Sequence, residues 1–593
     1  MQADVVFRTP RRRWLSPQRF WDAGLTLGDL LDQRRARIRH TYAAAFDEQP
    51  LHALPSAELL DGMGAAADRI VAAITQSEKL IIVGDYDVDG TTASALLIRF
   101  FRCYGIVPEV YIPNRMTEGY GLSPAVVEAV HARGARVLVT VDNGIAACEA
   151  CELAREYGID VVITDHHEPQ AQIPLAFAVV NPKKPGCAFP YKHLSGVGVA
   201  FFLAIALRKR MAVLFPEVKP NLKSLLDLVA IGTIADVCPL DGLNHQLTRV
   251  GLEVLSHHVH PSTAAAPRPG LRALLQIAGV SASQPVRAEQ IAFQIGPRLN
   301  AAGRLGTAMA AFEVMATDDP ERAHVLADML DAENRERRLM ERSATNQIDT
   351  VLASDPSLLS GAGLMLFEPS WHPGLIGIIA ARCLDRYYRP TLVLTQLDGV
   401  IKGSGRSTDE IDLFALLSPF SQRFISFGGH PKAVGFTLGV DRLAEFREFF
   451  DAATAAERDK GTMQQSSGLL VEGPLDPFEV NLEFVRKLGA IEPFGAANPR
   501  PKFVLKDVVV RDCKAIGKNP ADGHCHITLS ASASGEPLPF RLTAFGMRNE
   551  LEAVRGAGQV IHAAIELSEG FWNGSSRLEA RVADFGVVDS VSD

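Results

Sequence analysis

The stretch LIIVGDYDVDGTTASALLIRFF, residues 80–101, decides the fold class of this chain. An apolar run ends at Gly84, aspartates follow at alternate positions, and a helical pattern begins almost at once. Short continuous runs of Leu, Ile and Val are typical of a strand buried on both faces. The stretch therefore predicts a strand–helix unit with Asp85, Asp87 and Asp89 crowded at the junction. Because like charges this close repel one another, the crowding needs a physical cause.

Strand and helix patterns alternate along the residues that follow. Strand-like segments lie at 137–141 and 159–164, and helical patterns fill the intervals. One helix opens with Ser123 as its N-cap and closes at Gly134. This alternation predicts βαβ crossovers and a doubly wound parallel sheet.

The rest of the chain predicts an α/β multidomain protein, because 593 residues are too many for one core. Residues 310–353 form one or two long polar helices, and a helix of that kind more often connects domains than fills a core. A second α/β segment and then short strands with turn signals predict a second α/β domain and a C-terminal β-barrel or sandwich. The predicted boundaries are a basic N-terminal arm (1–45), a catalytic domain (46–260), a connecting helical region (261–355), a second α/β domain (356–455), a linker (456–468) and an oligonucleotide-binding (OB)-like domain (469–593).

Composition excludes several classes of protein. The formal net charge of −9 gives no bulk signal for nucleic acid, so any such contact needs a local basic patch. No apolar stretch reaches the roughly 20 residues that span a membrane, and no apolar segment follows the N-terminal arginines as in a secretory signal. That arginine-rich start is either a basic arm or a solvated tail. Eight scattered cysteines are interpreted mostly as small buried hydrophobes and favour a reducing cytoplasm.

Acidic and imidazole groups follow three of the predicted strands. Asp142 follows the strand at 137–141, and Asp165, His166 and His167 follow the strand at 159–164. Parallel strands end at one sheet edge, so these groups and the first three aspartates should converge there. Taken singly, each Asp is typical of a turn or helix cap and each His of a satisfied polar group. Three successive strand ends instead favour divalent ions, Mn²⁺ or Mg²⁺, bound by oxygen and imidazole.

Several motifs resemble those of the DHH phosphoesterase superfamily. A P-loop is excluded, because GDYDVDGTT lacks the phosphate-binding lysine. The order of the segments, with an added β-rich domain, resembles the single-strand-specific 5′→3′ exonucleases of the DHH/DHHA1 group. The matching segments are DYDVDG (85–90), VDNG (141–144), DHH (165–167), GVGVAF (196–201), GTIADV (232–237), GPRLNAAGRL (296–305), GSGRS (403–407) and the DHHA1-like GGHPKAVG (428–435).

The resemblance implies roles for the clustered residues. The metal ligands implied are Asp87, Asp89, Asp142, His166 and Asp236. Asp142 would bridge both ions, and His167 would face the scissile phosphate. Asp85 and Asp165 would lie behind the metal ligands and orient them. If Asp85 binds metal directly, the first motif carries one more ligand.

The resemblance also implies substrate-binding residues. Arg304, Arg298, Ser404 and Arg406 would hold a terminal 5′-phosphate, since arginine forks fit phosphate oxygens. The alternative is that the arginines pair with carboxylates at a domain interface. A second implied group contacts substrate phosphate through Gly428, Gly429 and His430. In the OB-like domain, basic residues at 502–518 and several aromatic side chains suggest single-strand binding, although a strand Phe is more often core.

The function implied by the resemblance is release of 5′-mononucleotides from single-stranded DNA by two-metal hydrolysis, in DNA repair and recombination. One alternative is a phosphoesterase acting on nanoRNA or small phosphorylated nucleotides, and another is an inactive scaffold that grips single strands. A single-strand-binding protein and a RecQ-type helicase are the implied partners, and the domain layout suggests a monomer.

Overall fold

The computed structural model describes residues 14–15, 34, 54–114, 118–119, 121–259, 268–281, 284–306, 308–463, 468–517, 523–572 and 575–588. The predicted basic arm lies almost entirely outside these residues. Contacts within the chain divide it into two compact units. The parallel-sheet unit comprises Leu31–Glu336 and Ile491–Arg500, and the barrel unit comprises Met1–Leu30, Arg337–Ala490 and Pro501–Asp593. The predicted domain boundaries are finer than this division and stay predictions.

Strands and α-helices are numbered here in chain order. The strands are β1 (Trp14–Leu15), β2 (Leu80–Gly84), β3 (Glu109–Tyr111), β4 (Val137–Val141), β5 (Asp160–Thr164), β6 (Ala178–Val180), β7 (Leu364–Phe367), β8 (Thr391–Leu397), β9 (Val400–Arg406), β10 (Phe424–His430), β11 (Ala433–Gly439), β12 (Leu469–Leu470), β13 (Gly473–Pro474), β14 (Lys502–Ala515), β15 (Cys525–Ala531), β16 (Leu542–Ala544), β17 (Val560–Trp572) and β18 (Ser575–Val587). The α-helices are α1 (Met63–Thr75), α2 (Val88–Arg102), α3 (Pro124–Ala132), α4 (Cys148–Glu156), α5 (Gly196–Leu214), α6 (Leu226–Ala235), α7 (Gly242–Val259), α8 (Pro269–Ile277), α9 (Gly296–Leu305), α10 (Met309–Ala316), α11 (Pro320–Ser354), α12 (Ile376–Tyr387), α13 (Leu413–Leu417), α14 (Leu443–Asp459), α15 (Leu482–Gly489) and α16 (Arg548–Gly556).

A parallel sheet of order β3-β2-β4-β5-β6 forms the centre of the parallel-sheet unit. Its two faces pack into separate hydrophobic cores, because alternate strand residues point to opposite sides. Ile82 and Val139 join the core formed with α1, α2 and α5, whereas Ile81 and Leu138 join the core formed with α3 and α4. Burial on both faces explains the unbroken apolar strands, and the doubly wound sheet expected from the sequence is confirmed.

Helix boundaries in this unit follow local capping chemistry. The Oγ atom of Ser123 accepts a hydrogen bond from the Val126 N–H at 3.3 Å, which caps α3, and Gly134 takes a left-handed φ of 80° after it. The predicted long helical region consists of α10 and the 35-residue helix α11. None of the helices in the described part of the chain has the length and apolar character that a bilayer crossing requires.

The barrel unit contains two separate sheets of substantial size. The first has the order β10-β11-β9-β8-β7. Helix α12 packs against it in one hydrophobic core, and α14 packs against it in another. In the second, β14, β15, β16, β18 and β17 pair in succession, and an additional β14–β17 pairing closes them into a barrel. The predicted second α/β domain and C-terminal β-barrel are therefore both present.

Candidate active site

Four strands of the parallel sheet end in one register row. Gly84 pairs with Val141, Val141 with Thr164, and Thr164 with Val180. The residues that follow these ends are Asp85, Asp142, Asp165 and Asn181. The convergence predicted from the sequence is therefore what the sheet register produces.

Asp142 occupies the centre of this edge. Its backbone is left-handed (φ 64°), and its N–H donates to the Thr164 carbonyl at 3.0 Å. The side chain is buried, and neither carboxylate oxygen accepts a hydrogen bond from the described residues. A Cβ on Gly196 would lie only 2.4 Å from Asp142 Oδ1, so glycine is needed there. A buried carboxylate without donors is costly unless a cation neutralises it.

His166 presents its ring to the same cluster. Its Nε2 atom lies 3.1 Å from Asp142 Oδ1 and 3.7 Å from the nearest oxygens of both Asp89 and Asp236. Nε2 is buried and makes no hydrogen bond within the described part of the chain. Burial lowers the pKa of His166, so the ring is neutral near pH 7 and can act as a ligand.

Asp89 is held by the N-terminus of a distant helix. The N–H groups of Gly196 and Val197, in the first turn of α5, donate to its two carboxylate oxygens at 2.6 and 2.9 Å. These donors fix the carboxylate, and each oxygen retains a second lone pair for a cation. Gly232 permits the close approach of α6, since a Cβ there would lie 2.8 Å from Asp89 Oδ1.

Asp85 and Asp87 complete the acidic side of the cluster. Asp87 caps α2 by accepting the Gly90 N–H at 3.0 Å, so the turn role and a ligand role are compatible. Single oxygens of Asp85, Asp87 and Asp142 lie within 4.8 Å of one another. The geometry therefore places Asp85 as close to the cluster as the predicted ligands.

His167 and Asp165 form a hydrogen-bonded pair beside the cluster. The Nδ1 atom of His167 lies 2.7 Å from Asp165 Oδ1. Asp165 also accepts the N–H groups of Ile145, His166 and His167 at 2.9, 2.7 and 3.1 Å. Burial alone would raise the pKa of Asp165, but the side-chain bond and charge of His167, helped by the charge of His166 and the Ile145 N–H, lower it. Burial alone would lower the pKa of His167, but the bond and charge of Asp165 outweigh it and raise the pKa to about 9. This arrangement fits the predicted orienting role of Asp165.

The acids of the cluster hold protons unusually strongly. Burial, followed by the charge of Asp236, raises the pKa of Asp89 to about 7. Burial and the charge of Asp87 raise the pKa of Asp236 to about 6. Burial and the charge of Asp89 raise the pKa of Asp142 well above its usual range. Carboxylates that repel one another in this way, beside a neutral imidazole, fit one or two hard divalent ions.

Two further residues of the site were missed from the sequence. Asn181, fully buried, donates to the His167 carbonyl at 2.9 Å and accepts the Lys183 N–H at 2.8 Å, so it fixes the loop that carries His167. It follows β6, so the rule that selected the other strand ends would have found it. The Sγ atom of Cys238 lies 3.0 Å from Asp236 Oδ2 and donates to it.

Helix α9 carries two of the predicted phosphate-binding arginines. A Cβ on Gly303 would lie 2.7 Å from the Tyr86 carbonyl, so this helix packs directly on the first motif, and half-buried Arg304 is the next residue. Arg298 instead pairs with Asp331 of α11 at 2.9 Å and donates to the Gln294 carbonyl at 2.7 Å. A π-helical segment, Ile291–Ile295, precedes the helix.

In the barrel unit, one face of a sheet carries four of the other predicted substrate residues, Ser404, Arg406, Gly428 and His430. Gly435 of β11 pairs with Gly428 on one side and with Ser404 on the other. Ala433 pairs in the same way with His430 and Arg406. Directly paired residues point to the same face of the sheet. The Nη1 atom of Arg406 donates to Ser404 Oγ at 3.2 Å. Gly429, with a φ of 142°, lies between the two rows.

This face is open above its glycines and bounded by a helix. No atom of the described residues lies within 4 Å of a Cβ built on Gly428 or Gly435. A Cβ on Gly377, in the first turn of α12, would lie 3.2 Å from both Ser404 Oγ and Arg406 Nη2. The helix N-terminus, the hydroxyl and the guanidinium therefore converge on one small site suited to an anion.

The β-barrel separates core aromatics from a surface one. Phe503 and Phe540 are buried, as the core interpretation predicts. Phe545 is 44% exposed, and the Arg581 guanidinium lies 5.1 Å from its ring. The basic stretch is partly neutralised, since Lys502 pairs with Glu566 at 3.0 Å. Lys518 and the side chain of Trp572 lie outside the described residues.

Comparison with known proteins connects this site to one family. Family models match residues 79–233 (DHH family, N-terminal domain), 360–456 (DHHA1 domain) and 471–584 (RecJ OB domain). The single-stranded-DNA-specific exonuclease RecJ of Escherichia coli K12 is 39% identical over 458 residues, which are 75% of this chain and 78% of that protein. The chain belongs to the RecJ family. RecJ of Bacillus subtilis 168 is 35% identical over 536 residues, 89% of this chain but 64% of that protein, so the chain spans less than two thirds of that relative.

A solved RecJ structure extends the similarity to the whole fold and to the ions. RecJ from Thermus thermophilus, crystallised in complex with Mn²⁺, matches with a TM-score of 0.75 at 27% identity, covering 97% of this chain and 79% of that one. The complex of that RecJ with Mg²⁺ matches with a TM-score of 0.70 at 26% identity, covering 97% and 78%. The predicted family and fold class are confirmed, and the two ions predicted from the residues are those bound in RecJ crystals.

Proposed function

We propose that this RecJ-family chain is a divalent-metal-dependent exonuclease that degrades single-stranded DNA from its 5′ end and releases 5′-mononucleotides. The observation that carries the proposal is the pairing of Asp142 and His166. Both are buried at the carboxyl edge of the parallel sheet, their atoms lie 3.1 Å apart, and neither makes a hydrogen bond through those atoms within the described residues. Such a pair is stable when it shares a cation.

The residues assigned to hold the ions are Asp87, Asp89, Asp142, His166 and Asp236, with Asp85 adjacent. When bound, two divalent ions supply charge to stabilise the phosphoryl group and to activate the water that attacks it. Asp142 would hold the ions through its two carboxylate oxygens, neither of which accepts a hydrogen bond from the described residues. The α5 N-terminus holds Asp89, and Cys238 holds Asp236, so the ligands are oriented before an ion arrives.

His167 is assigned to the phosphoryl or leaving oxygen of the substrate. The Nδ1 atom of His167 is hydrogen-bonded to Asp165. The opposite ring nitrogen, Nε2, therefore points away from this hydrogen bond. A pKa of about 9 keeps the ring protonated at neutral pH. A half-exposed imidazolium beside a metal cluster can donate a charge-assisted hydrogen bond to a phosphate oxygen.

The preference for a 5′ end is assigned to phosphate-binding groups. In the barrel unit, Ser404, Arg406 and the N-terminus of α12 form a site that fits a terminal phosphate. Gly428, Gly429 and His430 lie on β10, separated from β9 by β11, and are assigned to a further phosphate contact. In the parallel-sheet unit, Arg304 is assigned to a substrate phosphate because α9 packs on the first motif. Arg298 is a weaker candidate, because Asp331 already neutralises it.

A nuclease assay with two labels tests the proposal. A single-stranded oligonucleotide carries one label on its 5′-terminal nucleotide and another at its 3′ end, with Mn²⁺ or with a chelator present. The expected result is early release of the 5′ label as a mononucleotide, progressive shortening of the 3′-labelled strand, no cleavage with chelator, and slow cleavage of the matching duplex. Asp142→Asn should abolish cleavage, and Asp160→Asn, at the opposite end of β5, serves as the matched control.

The same assay discriminates the alternatives. Cleavage of dinucleotides but not of long strands would favour a small-substrate phosphoesterase, and binding without cleavage would favour an inactive scaffold. The roles in repair and recombination and the single-strand-binding and RecQ-type partners are supported by the family resemblance alone. The monomeric state is supported by the domain layout, and the cytoplasmic location by the scattered cysteines. Light scattering on the purified chain and pull-down with each partner test them.

A further inference from the structure

A thiol borders the proposed metal centre, and the proposed hydrolysis uses it only to orient Asp236. Cys238 donates to Asp236 Oδ2 at 3.0 Å, and its N–H donates to the Thr233 carbonyl at 3.2 Å. Between the two side chains, Val237 takes a left-handed φ of 58°, which is rare for a β-branched residue. This turn at the end of α6 brings the carboxylate of Asp236 and the sulfur of Cys238 to the same place.

A second ligand atom points into that place. His166 is 7% exposed, and its Nε2 atom makes no hydrogen bond among the described residues. Nε2 lies 3.7 Å from Asp236 Oδ2. One ligand atom from each of His166, Asp236 and Cys238 lies within 4.8 Å of the other two. Ligand bonds of about 2.0–2.3 Å to a central zinc ion can be reached from this arrangement with small side-chain shifts.

The three donors differ in their preference among metals. Mn²⁺ and Mg²⁺ prefer oxygen and accept imidazole, whereas thiolate ligands favour Zn²⁺, for which imidazole is also well suited. We propose that Cys238, with His166 and Asp236, forms a second mode of metal binding, a His–Asp–Cys site that captures a thiol-seeking divalent ion such as Zn²⁺. The inference rests on the proposed function, because two of its three ligands are assigned there to the catalytic ions.

Capture of Zn²⁺ in this mode inhibits the enzyme. The incoming ion displaces the thiol proton to the solvent, and bonds from the ion to Asp236 and Cys238 replace the hydrogen bond between them. His166 and Asp236 are then no longer available to hold the ions that support hydrolysis. Cys238 thus makes the activity sensitive to the ratio of zinc to manganese, which an all-oxygen-and-imidazole site would sense less strongly.

Co²⁺ is the direct probe, because cobalt bound to a thiolate has a near-ultraviolet charge-transfer band. The full-length protein is stripped of metal and titrated with Co²⁺, and binding is measured in parallel by calorimetry. The expected result is a band in the wild type that saturates and is abolished by Zn²⁺. The band is lost in both Cys238→Ser and Cys238→Val. Cys148→Ser, which removes a half-buried thiol elsewhere in the chain, retains it.

A second measurement tests the regulatory consequence. The Zn²⁺ concentration that halves Mn²⁺-supported cleavage, relative to each variant's own rate, should rise roughly ten- to a hundredfold in Cys238→Ser. Thermal melting and circular dichroism verify that each variant is folded. Because Cys238 is replaced by both Ser and Val, the test remains valid if one of the two variants fails to fold. The inference is overturned if the band persists without Cys238, or if Co²⁺ binds the wild type without a band.

The outcomes also separate this inference from the proposed function. If the wild type binds Mn²⁺ and degrades single strands but shows neither a cobalt band nor thiol-dependent zinc sensitivity, the inference alone fails. If neither Mn²⁺ nor Co²⁺ binds and no strand is cleaved, both fail.

Discussion

Replacing Asp142 by asparagine should stabilise the metal-free protein while destroying its response to Mn²⁺. The substitution keeps the shape of the side chain and removes its charge. In the metal-free state that charge is buried, receives no hydrogen bond from the described residues and faces other carboxylates, so its removal is favourable. In the proposed metal-bound state the same charge would help to hold the cations, so its removal would be costly.

The size of the gain follows from the spacing of the cluster. Oxygens of Asp85, Asp87 and Asp142 lie within 4.8 Å of one another. Two unit charges at that distance repel by roughly 3 kcal/mol at an effective dielectric constant of about 20. Shared protons relieve part of this, so the variant should gain roughly 1–3 kcal/mol, or several degrees in melting temperature at about 2–4 °C per kcal/mol.

The gain should also depend on pH, with a defined sign. The folded state raises the pKa of Asp142 above its value in the unfolded chain, so the folded protein retains a proton where the unfolded chain has lost it. The wild type is therefore penalised increasingly as the pH rises above about 4, the usual aspartate pKa. The difference between the variant and the wild type should be small at low pH and largest at alkaline pH.

Thermal unfolding with and without Mn²⁺ measures both effects. At a Mn²⁺ concentration about 100 times the dissociation constant, the wild type should gain about 2.7 kcal/mol, and the variant should gain nearly none. Asp160→Asn, at the opposite end of β5, breaks the Arg69 pair (2.6 Å) and serves as control: it should not stabilise, and it should keep the full Mn²⁺ response. A variant at Asp142 that melts at or below the wild type without metal, yet still responds to Mn²⁺, would refute the reasoning.

Three other substitutions give separate tests. Gly196→Ala places a methyl group 2.4 Å from Asp142 Oδ1, so it should cost about 1–3 kcal/mol and weaken the Mn²⁺ thermal shift; an unchanged shift would contradict the packing argument. Asp165→Asn removes the carboxylate charge that helps to hold the pKa of His167 near 9, so activity that needs the protonated ring should fall at a lower pH; an unmoved alkaline limb of the pH–rate profile would exclude this role. Arg406→Ala should lower the preference for 5′-phosphate over 5′-hydroxyl ends by roughly tenfold or more, the worth of a charged hydrogen bond, whereas Arg423→Ala, whose side chain pairs with Glu445, should not; equal losses on both ends would argue against the anion site.

The sheet edge was predictable because its geometry follows from local patterns. Apolar runs fix the strands, helices between them fix a parallel order, and a parallel order brings the strand ends together. The positions of Asp85, Asp142 and Asp165 then require no knowledge of distant contacts. The same rule also locates Asn181, which directly follows β6. The sequence prediction covered only the three preceding strand ends and therefore omitted this residue.

The partners of these residues were not predictable in the same way. The N–H groups that hold Asp89 come from a helix 107 residues further along the chain, and no local pattern reports that contact. The cysteines were interpreted as small buried hydrophobes, which describes the burial of Cys238 but not its bond to Asp236. Arg298 pairs with a carboxylate, but the partner Asp331 lies on α11 within the same unit and not at an interface between the two units, as the alternative required.

The central claim is that divalent ions bind His166 and neutralise the buried acids around it. Diffraction from crystals of the protein grown with Mn²⁺, recorded at the manganese absorption edge, tests this most directly. The account predicts strong anomalous peaks within bonding distance of Asp142, His166 and Asp236, and their loss in Asp142→Asn. Absence of anomalous density among these side chains in manganese-saturated crystals would contradict it.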